Sequence, residues 1–383
     1  MRSLSTPIVG LFLTAATFAA PPASTGTSDP TGLTVHEWGT FTSIAGADGA
    51  AAEWLPQAGP SDLPCFVERN RFNIKGRLSG TVRMETPVLY FYAARQTTVR
   101  VSVRFRQGVI TEWFPHATVT PASGSAVFGS ASTIAWKDVN VSPGVAEDFP
   151  VERGASHYYA ARRTEAAPLR SGPDREKFLF YRGVGRFLPP IAATVDARGQ
   201  VVVTTPGNRP IGDVILFSND RGRVAYEVRR AAGGQVVADP QVVDREPTTE
   251  LERLLLARGL YAAEAAAMLE TWRDSWFEEG TRLIYVVPRS EVDAILPLRI
   301  EPPPDEVARV FVGRMELVTP DTLKEIRAAL LVNDAATLRR FGRFLEPIGR
   351  RIVAESPRKD RALLQQRLNN ADTGGAPPDA CSR

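Results

Sequence analysis

The chain has 383 residues, of which 43% are hydrophobic and 8% aromatic, enough to bury a core of one large or two ordinary domains. Its 46 basic and 43 acidic residues leave a net charge of +3, and only five of the basic residues are lysine. The arginines are scattered rather than gathered in a stripe with interleaved aromatics, so a nucleic-acid partner is not expected.

The first twenty residues carry one charge, Arg2, and then an almost wholly apolar run from Ile8 to Ala20. A basic start, a short apolar stretch and small residues for a peptidase are the marks of a secretory signal. The run is shorter than the roughly 20 residues a membrane helix needs, and no later segment is longer. Residues 1–23 are therefore expected to be removed, with cleavage open between Thr17-Phe18-Ala19 and Pro21-Pro22-Ala23. The mature chain is expected to be exported, periplasmic or extracellular, with no transmembrane segment after signal removal. Its two cysteines, Cys65 and Cys381, form either a staple tying the C-terminal tail to the Pro64-Cys65 loop or two separate thiols.

From residue 30 to 230 the punctuation predicts an antiparallel β-sandwich-like domain. Val99-Arg-Val-Ser-Val-Arg-Phe105 alternates with period two, as a half-buried strand does. Gly108 is expected to turn it, through a positive φ, into a returning strand over 109–114. Two further hairpins are expected, 192–196 with 200–204 and 214–217 with 223–228. Continuous apolar runs, Val88–Tyr92 and Phe178–Tyr181, fit central strands buried on both faces.

After a connector over 231–247 the period changes, and residues 248–354 read as a helical α+β portion packed on the sandwich. Thr249 with Glu252 is spaced as a capping box. Ala265, Leu269, Trp272 and Trp276 recur at helical spacing. Two β-type runs, 282–287 and 307–318, are expected to dock as late strands. Thr319-Pro320 opens another helix. Asn333 is expected to cap the last one, whose apolar stripe is Phe341, Phe344, Leu345, Ile348 and Ile352. Residues 355–383 read as a flexible tail. The fold class expected is thus mainly β with α.

Three stretches carry a resemblance: Val35-His-Glu-Trp-Gly-Thr-Phe-Thr42, Arg83–Tyr92 with Ile110–Phe114, and Trp272–Gly280 through Val312–Glu316. Together they resemble an uncharacterised family of secreted bacterial proteins with an N-terminal HEWGTFT-type motif. The resemblance spans nearly the whole mature chain and implies export and one integrated fold. It implies no activity, cofactor or site residue.

Chemistry in the residues themselves is sparse. The three histidines, His36, His116 and His157, each neighbour aromatic or acidic residues. Three imidazoles with an open fourth position make a catalytic zinc site, and Glu37 or Glu112 could serve as general base on a metal-bound water. Zinc or another divalent metal is expected only on that reading, a metal-dependent hydrolase. No histidine pair has local ligand spacing, and no nucleophile elbow, phosphate loop or dinucleotide fingerprint is present. The first expectation is therefore a non-enzymatic binding or structural role in the cell envelope or outside the cell. Carbohydrate is one ligand class, since Trp38, Trp54, Trp113 and Trp136 fall in the β region. An anionic envelope component is another, met by Arg339, Arg340, Arg343, Arg350 and Arg351 of the last helices.

Overall fold

The computed structural model of this chain describes residues 32–53, 63–70, 80–121, 131–152, 156–196, 199–238, 241–243 and 245–372. The expected signal segment, Trp54 and Cys381 lie outside them. In chain order the first strands are β1 (Leu33–Gly46), β2 (Glu68–Arg69), β3 (Val82–Ala93), β4 (Thr97–Phe105), β5 (Gly108–Phe114), β6 (Thr118–Thr120) and β7 (Ser132–Val141). Next come β8 (Leu169–Ser171), β9 (Asp174–Glu176), β10 (Leu179–Gly185), β11 (Ala192–Val195), β12 (Val201–Thr205), β13 (Gly212–Asp220) and β14 (Arg223–Ala231). The last strands are β15 (Gly234–Ala238), β16 (Gln241–Val242), β17 (Gly280–Val286), β18 (Leu298–Glu301) and β19 (Glu306–Val318). The helices are α1 (Thr248–Leu256), α2 (Ala262–Trp276), α3 (Arg289–Ile295), α4 (Pro320–Val332), α5 (Ala335–Arg340), α6 (Leu345–Glu355) and α7 (Arg358–Asp372).

The protein is mainly β, with antiparallel sheets and a C-terminal helical region. One sheet has ten strands in the order β16-β14-β13-β17-β19-β1-β3-β10-β5-β2. Among the described residues only the β1–β19 pair is parallel. A six-stranded sheet built on β4 and β7 and a three-stranded sheet, β11-β12-β15, share a core with one face of the large sheet. The helices other than α3, which packs into that shared core through Val292 and Leu296, cover the other face. α1 and α2 enclose Trp38, Tyr90 and Ile284, and α4 to α7 enclose Ile44, Val184 and Val318. Strands β1, β3 and β10 are buried on both faces, which is why Val88–Tyr92 of β3 and the Phe178–Tyr181 run entering β10 read as continuous apolar runs rather than alternating ones.

Several expectations hold. Val99, Val101, Val103 and Phe105 are buried while Arg100 and Arg104 face solvent. Both later hairpins form. Thr319 caps α4 by accepting from the Thr322 amide at 3.1 Å.

Others are corrected. β5 does not return along β4: it pairs with β10 and β2, so the chain leaves one sheet at residue 106 and enters the other. Gly108 has no positive φ. It is needed because a Cβ there would lie 2.3 Å from the Phe105 ring. The late strands are not docked on the sandwich but stand in the middle of the ten-stranded sheet, with β19 between β17 and β1. The 231–247 connector therefore separates no sheets, and the described residues belong to one compact unit. Thr249 makes no cap, since α1 begins one residue earlier behind Pro247. Asn333 closes α4 in the left-handed region, at φ 59°, and Asp334 caps α5 instead. The expected tail contains α7, whose Leu364 and Leu368 are buried among the C-terminal helices.

Candidate functional site

The three histidines are not brought together. His36 is buried between β1 and α2, where its Nδ1 lies 2.8 Å from Glu264 Oε2, with Tyr92 and Tyr261 against its ring. His116 follows β5 and is mostly exposed, with Nδ1 2.6 Å from Glu68 Oε1. His157 opens a short 3-10 turn, and its Nε2 lies 3.8 Å from Asp274. Each imidazole has its own carboxylate, and among the described residues no group of three or more histidines, cysteines or acids is placed to hold a metal. The aromatic neighbours that drew attention to these histidines are core residues such as Trp38 and Tyr158.

The two carboxylates expected as bases are also committed. Glu37 is fully buried on the opposite face of β1 from His36, because strand side chains alternate. It accepts from Tyr181 Oη at 2.5 Å and from Arg309 Nε. Arg309 Nη1 donates to Asp293 and to the Leu296 carbonyl, while its buried Nη2 has no hydrogen-bond partner among the described residues. Burial works against that guanidinium's charge, but Glu37 outweighs it and holds the Arg309 pKa above its ordinary value. Glu112 accepts from the Thr111 hydroxyl in β5 and stands across from Arg182 of β10.

Among the described residues neither expected binding surface is present. Trp38, Trp113 and Trp136 are all buried, so they have no face to offer a sugar. The arginines of the last helices are mostly paired: Arg340 with Glu325 and Glu279, Arg343 with Glu85, Arg350 with Glu346, and Arg351 with the exposed Glu355 and Asp48. Only Arg339 of that set is exposed on its helix.

The Arg343–Glu85 pair belongs to a charged belt crossing the helix-covered face of the large sheet. Register places Arg282 beside Glu316, Arg314 beside Thr42, Thr42 beside Arg83, and Arg182 beside Glu112. Arg282 is fully buried and donates to Glu316 and to the carbonyls of Trp276, Glu278 and Glu279, closing the C-terminal end of α2. Arg314 donates to Glu278 and Ser275. Burial, with Arg282 nearby, brings its pKa down to about 10. Glu85 accepts from Thr42 at 2.6 Å and from Arg343 at 2.8 Å. Burial alone pushes Glu85 up, but Arg343, Arg83 and Thr42 overcome it and hold the carboxyl below its ordinary value. A buried belt with this degree of internal pairing joins the helices to the sheet, and its charges are already used.

The opposite face holds an open cleft of about 650 Å³. Its floor is Ser43 and Ala45 of β1 with Met315 of β19. The β4–β5 turn (Arg106, Gln107), the run Arg186–Pro189 with Ile191, and Ala294 and Ile295 of α3 form its walls. Most of this lining is apolar, and the volume lies within the roughly 300–1,000 Å³ typical of small-molecule sites. Phe187 is fixed from behind by the rings of Phe41 and Phe105, 5.2 and 6.1 Å between centroids. Leu188 beside it is 91% exposed at the mouth. The rim is tied together by backbone: the Arg106 amide donates to the Ile295 carbonyl at 3.1 Å and the Arg186 amide to Gln107 at 2.8 Å. None of these residues stood out in the sequence. The one signal was Phe187-Leu188 ahead of Pro189-Pro190, two large apolar residues at a bend that no strand pattern absorbs.

Neither a protein-family model nor a curated protein matches this chain. The cleft is therefore judged on its own residues.

Proposed function

We propose that this chain is an exported, non-enzymatic binding protein that takes a small, largely apolar molecule into the cleft between β1, β19, α3 and the 186–193 segment. The observation that carries the reading is the cleft itself: an apolar floor and walls in a space of ligand size, with Leu188 exposed at its mouth. Large apolar side chains left in water beside a concave apolar surface are what a ligand would cover. Export is supported by the signal-like N-terminus, by the resemblance of the His36–Thr42 stretch to a secreted family, and by Cys65 being disulfide-bonded. Disulfides persist in oxidising compartments outside the cytosol. Cys381, the chain's second cysteine, lies outside the described residues.

The test is a titration of the purified protein with the neutral fluorophore N-phenyl-1-naphthylamine. Saturable binding at one site per chain is expected. Ala294→Trp, which adds a large ring from an exposed position of α3 into the cleft, is expected to weaken it at least tenfold. No saturable binding, or unchanged binding by the variant, overturns the reading.

A further inference from the structure

The charges lining the cleft do not cancel, and this gives the ligand a sign. Among the described residues three charged side chains line it: Arg106, Arg186 and Glu291. Arg186 donates to Glu53 at 2.5 Å, and Glu291 is paired with Arg209. Arg106 has no hydrogen bond or ion pair for its guanidinium among the described residues. Its backbone is held to α3 through the Ile295 carbonyl, and the next residue is held to Arg186, so the guanidinium stands on a fixed corner of the rim. Among the described residues the cleft therefore presents one surplus positive charge above an apolar interior.

We propose that the ligand is a single-chain amphipathic carboxylate, with its apolar chain against Ala45 and Met315 of the floor and Ile295 of the wall and its carboxylate paired to Arg106. This rests on the cleft being the binding site. A guanidinium matches the two oxygens of one carboxylate in a bidentate pair, and a single unpaired guanidinium neutralises one negative charge. The apolar lining accounts for the chain, and Leu188 at the mouth lies beside the path it would take.

Decanoate and decan-1-ol, which share the chain and differ in charge, are to be compared as displacers of N-phenyl-1-naphthylamine. The wild type is expected to prefer decanoate by about tenfold, equivalent to about 1.4 kcal/mol. That preference is expected to shrink on raising salt from roughly 0.05 M to 0.5 M, because the pair is at an exposed rim. R106Q is expected to lose the preference, decanoate and decan-1-ol displacing the bound fluorophore from it equally well. Equal displacement by the two in the wild type, or a preference that survives in R106Q, overturns the carboxylate assignment and leaves the cleft reading standing. Absence of saturable fluorophore binding removes the cleft reading and this assignment with it.

Discussion

On the helix-covered face of the large sheet, Arg282, Arg314 and Arg343 are each held by carboxylates, hydroxyls or backbone carbonyls. On the opposite face, Arg106 stands at the rim of the cleft with its guanidinium unpaired among the described residues. The same residue type does two jobs. Where arginine is buried, its desolvation must be met by several acceptors at once, and the result joins layers of the fold. Where it is exposed at the edge of an apolar hollow, it costs little to leave unpaired and is available to a ligand. The difference separates architecture from recognition more clearly than residue identity can.

Arg282→Met should break the first side of that comparison hardest. The substitution keeps much of the volume but strips the donors from Glu316 and from the three carbonyls at the end of α2. Removing one partner of a buried pair costs roughly 3–5 kcal/mol, read as a lowered urea midpoint. A loss below about 1 kcal/mol would mean that the belt does not hold α2 to the sheet. Cleft binding by the variant, measured while it is still folded, should stay as in the wild type.

Glu85→Gln should have the next largest effect, and a pH-dependent one. The folded-state carboxyl of Glu85 is held below its ordinary value of 4.5. A carboxylate with a depressed folded pKa adds stability that is fully present above the unfolded value and is lost as pH falls through the folded one. Glutamine removes the charge that Arg343 and Arg83 face, at a cost of about 1–3 kcal/mol near neutral pH. The deficit relative to wild type should narrow steadily below pH 4.5. A deficit that stays constant from pH 7 to pH 3 would show that Glu85 acts through shape and not through charge.

How far the sequence revealed these two faces depended on the range of the interactions. Local signals were legible. The alternation of Val99–Phe105, the Asn219–Gly222 turn and the Thr319-Pro320 cap each involve neighbours a few residues apart, and each appears as expected. The central strands were legible as well, since Val88–Tyr92 and Phe178–Tyr181 are apolar on both faces. Pairing was not. β4 and β5 are separated by two residues yet lie in different sheets, because β5 finds β10 some 70 residues later and β4 finds β7 and β18. β19 joins β1 in parallel at a sequence separation of 272, Thr34 lying beside Glu306, which no spacing rule anticipates. The three histidines looked alike through their neighbours, but burial separated them into one core residue and two at the surface. The cleft was invisible for the same reason: Ala45, Arg106, Leu188, Ile295 and Met315 meet only after both small sheets and α3 have settled on the large one.

The smallest expected effect sharpens the cleft side. Leu188 is 91% exposed and so adds almost nothing to the core. Leu188→Ser should leave the urea midpoint within about 0.5 kcal/mol of wild type, as surface substitutions generally do. If the cleft receives an apolar molecule, that side chain gains contact only when the ligand is present. Burying about half of a leucine is worth about 1 kcal/mol, so fluorophore affinity should fall about fivefold while stability holds. The combination is diagnostic because the belt predicts its reverse: Arg282→Met lowers stability and spares binding, Leu188→Ser spares stability and lowers binding. A Leu188→Ser chain that unfolds more easily would place the 186–190 bend in the core and remove the distinction. One that binds the fluorophore as tightly as wild type would move the ligand deeper, onto Ala45 and Met315, and leave the mouth without a part in recognition.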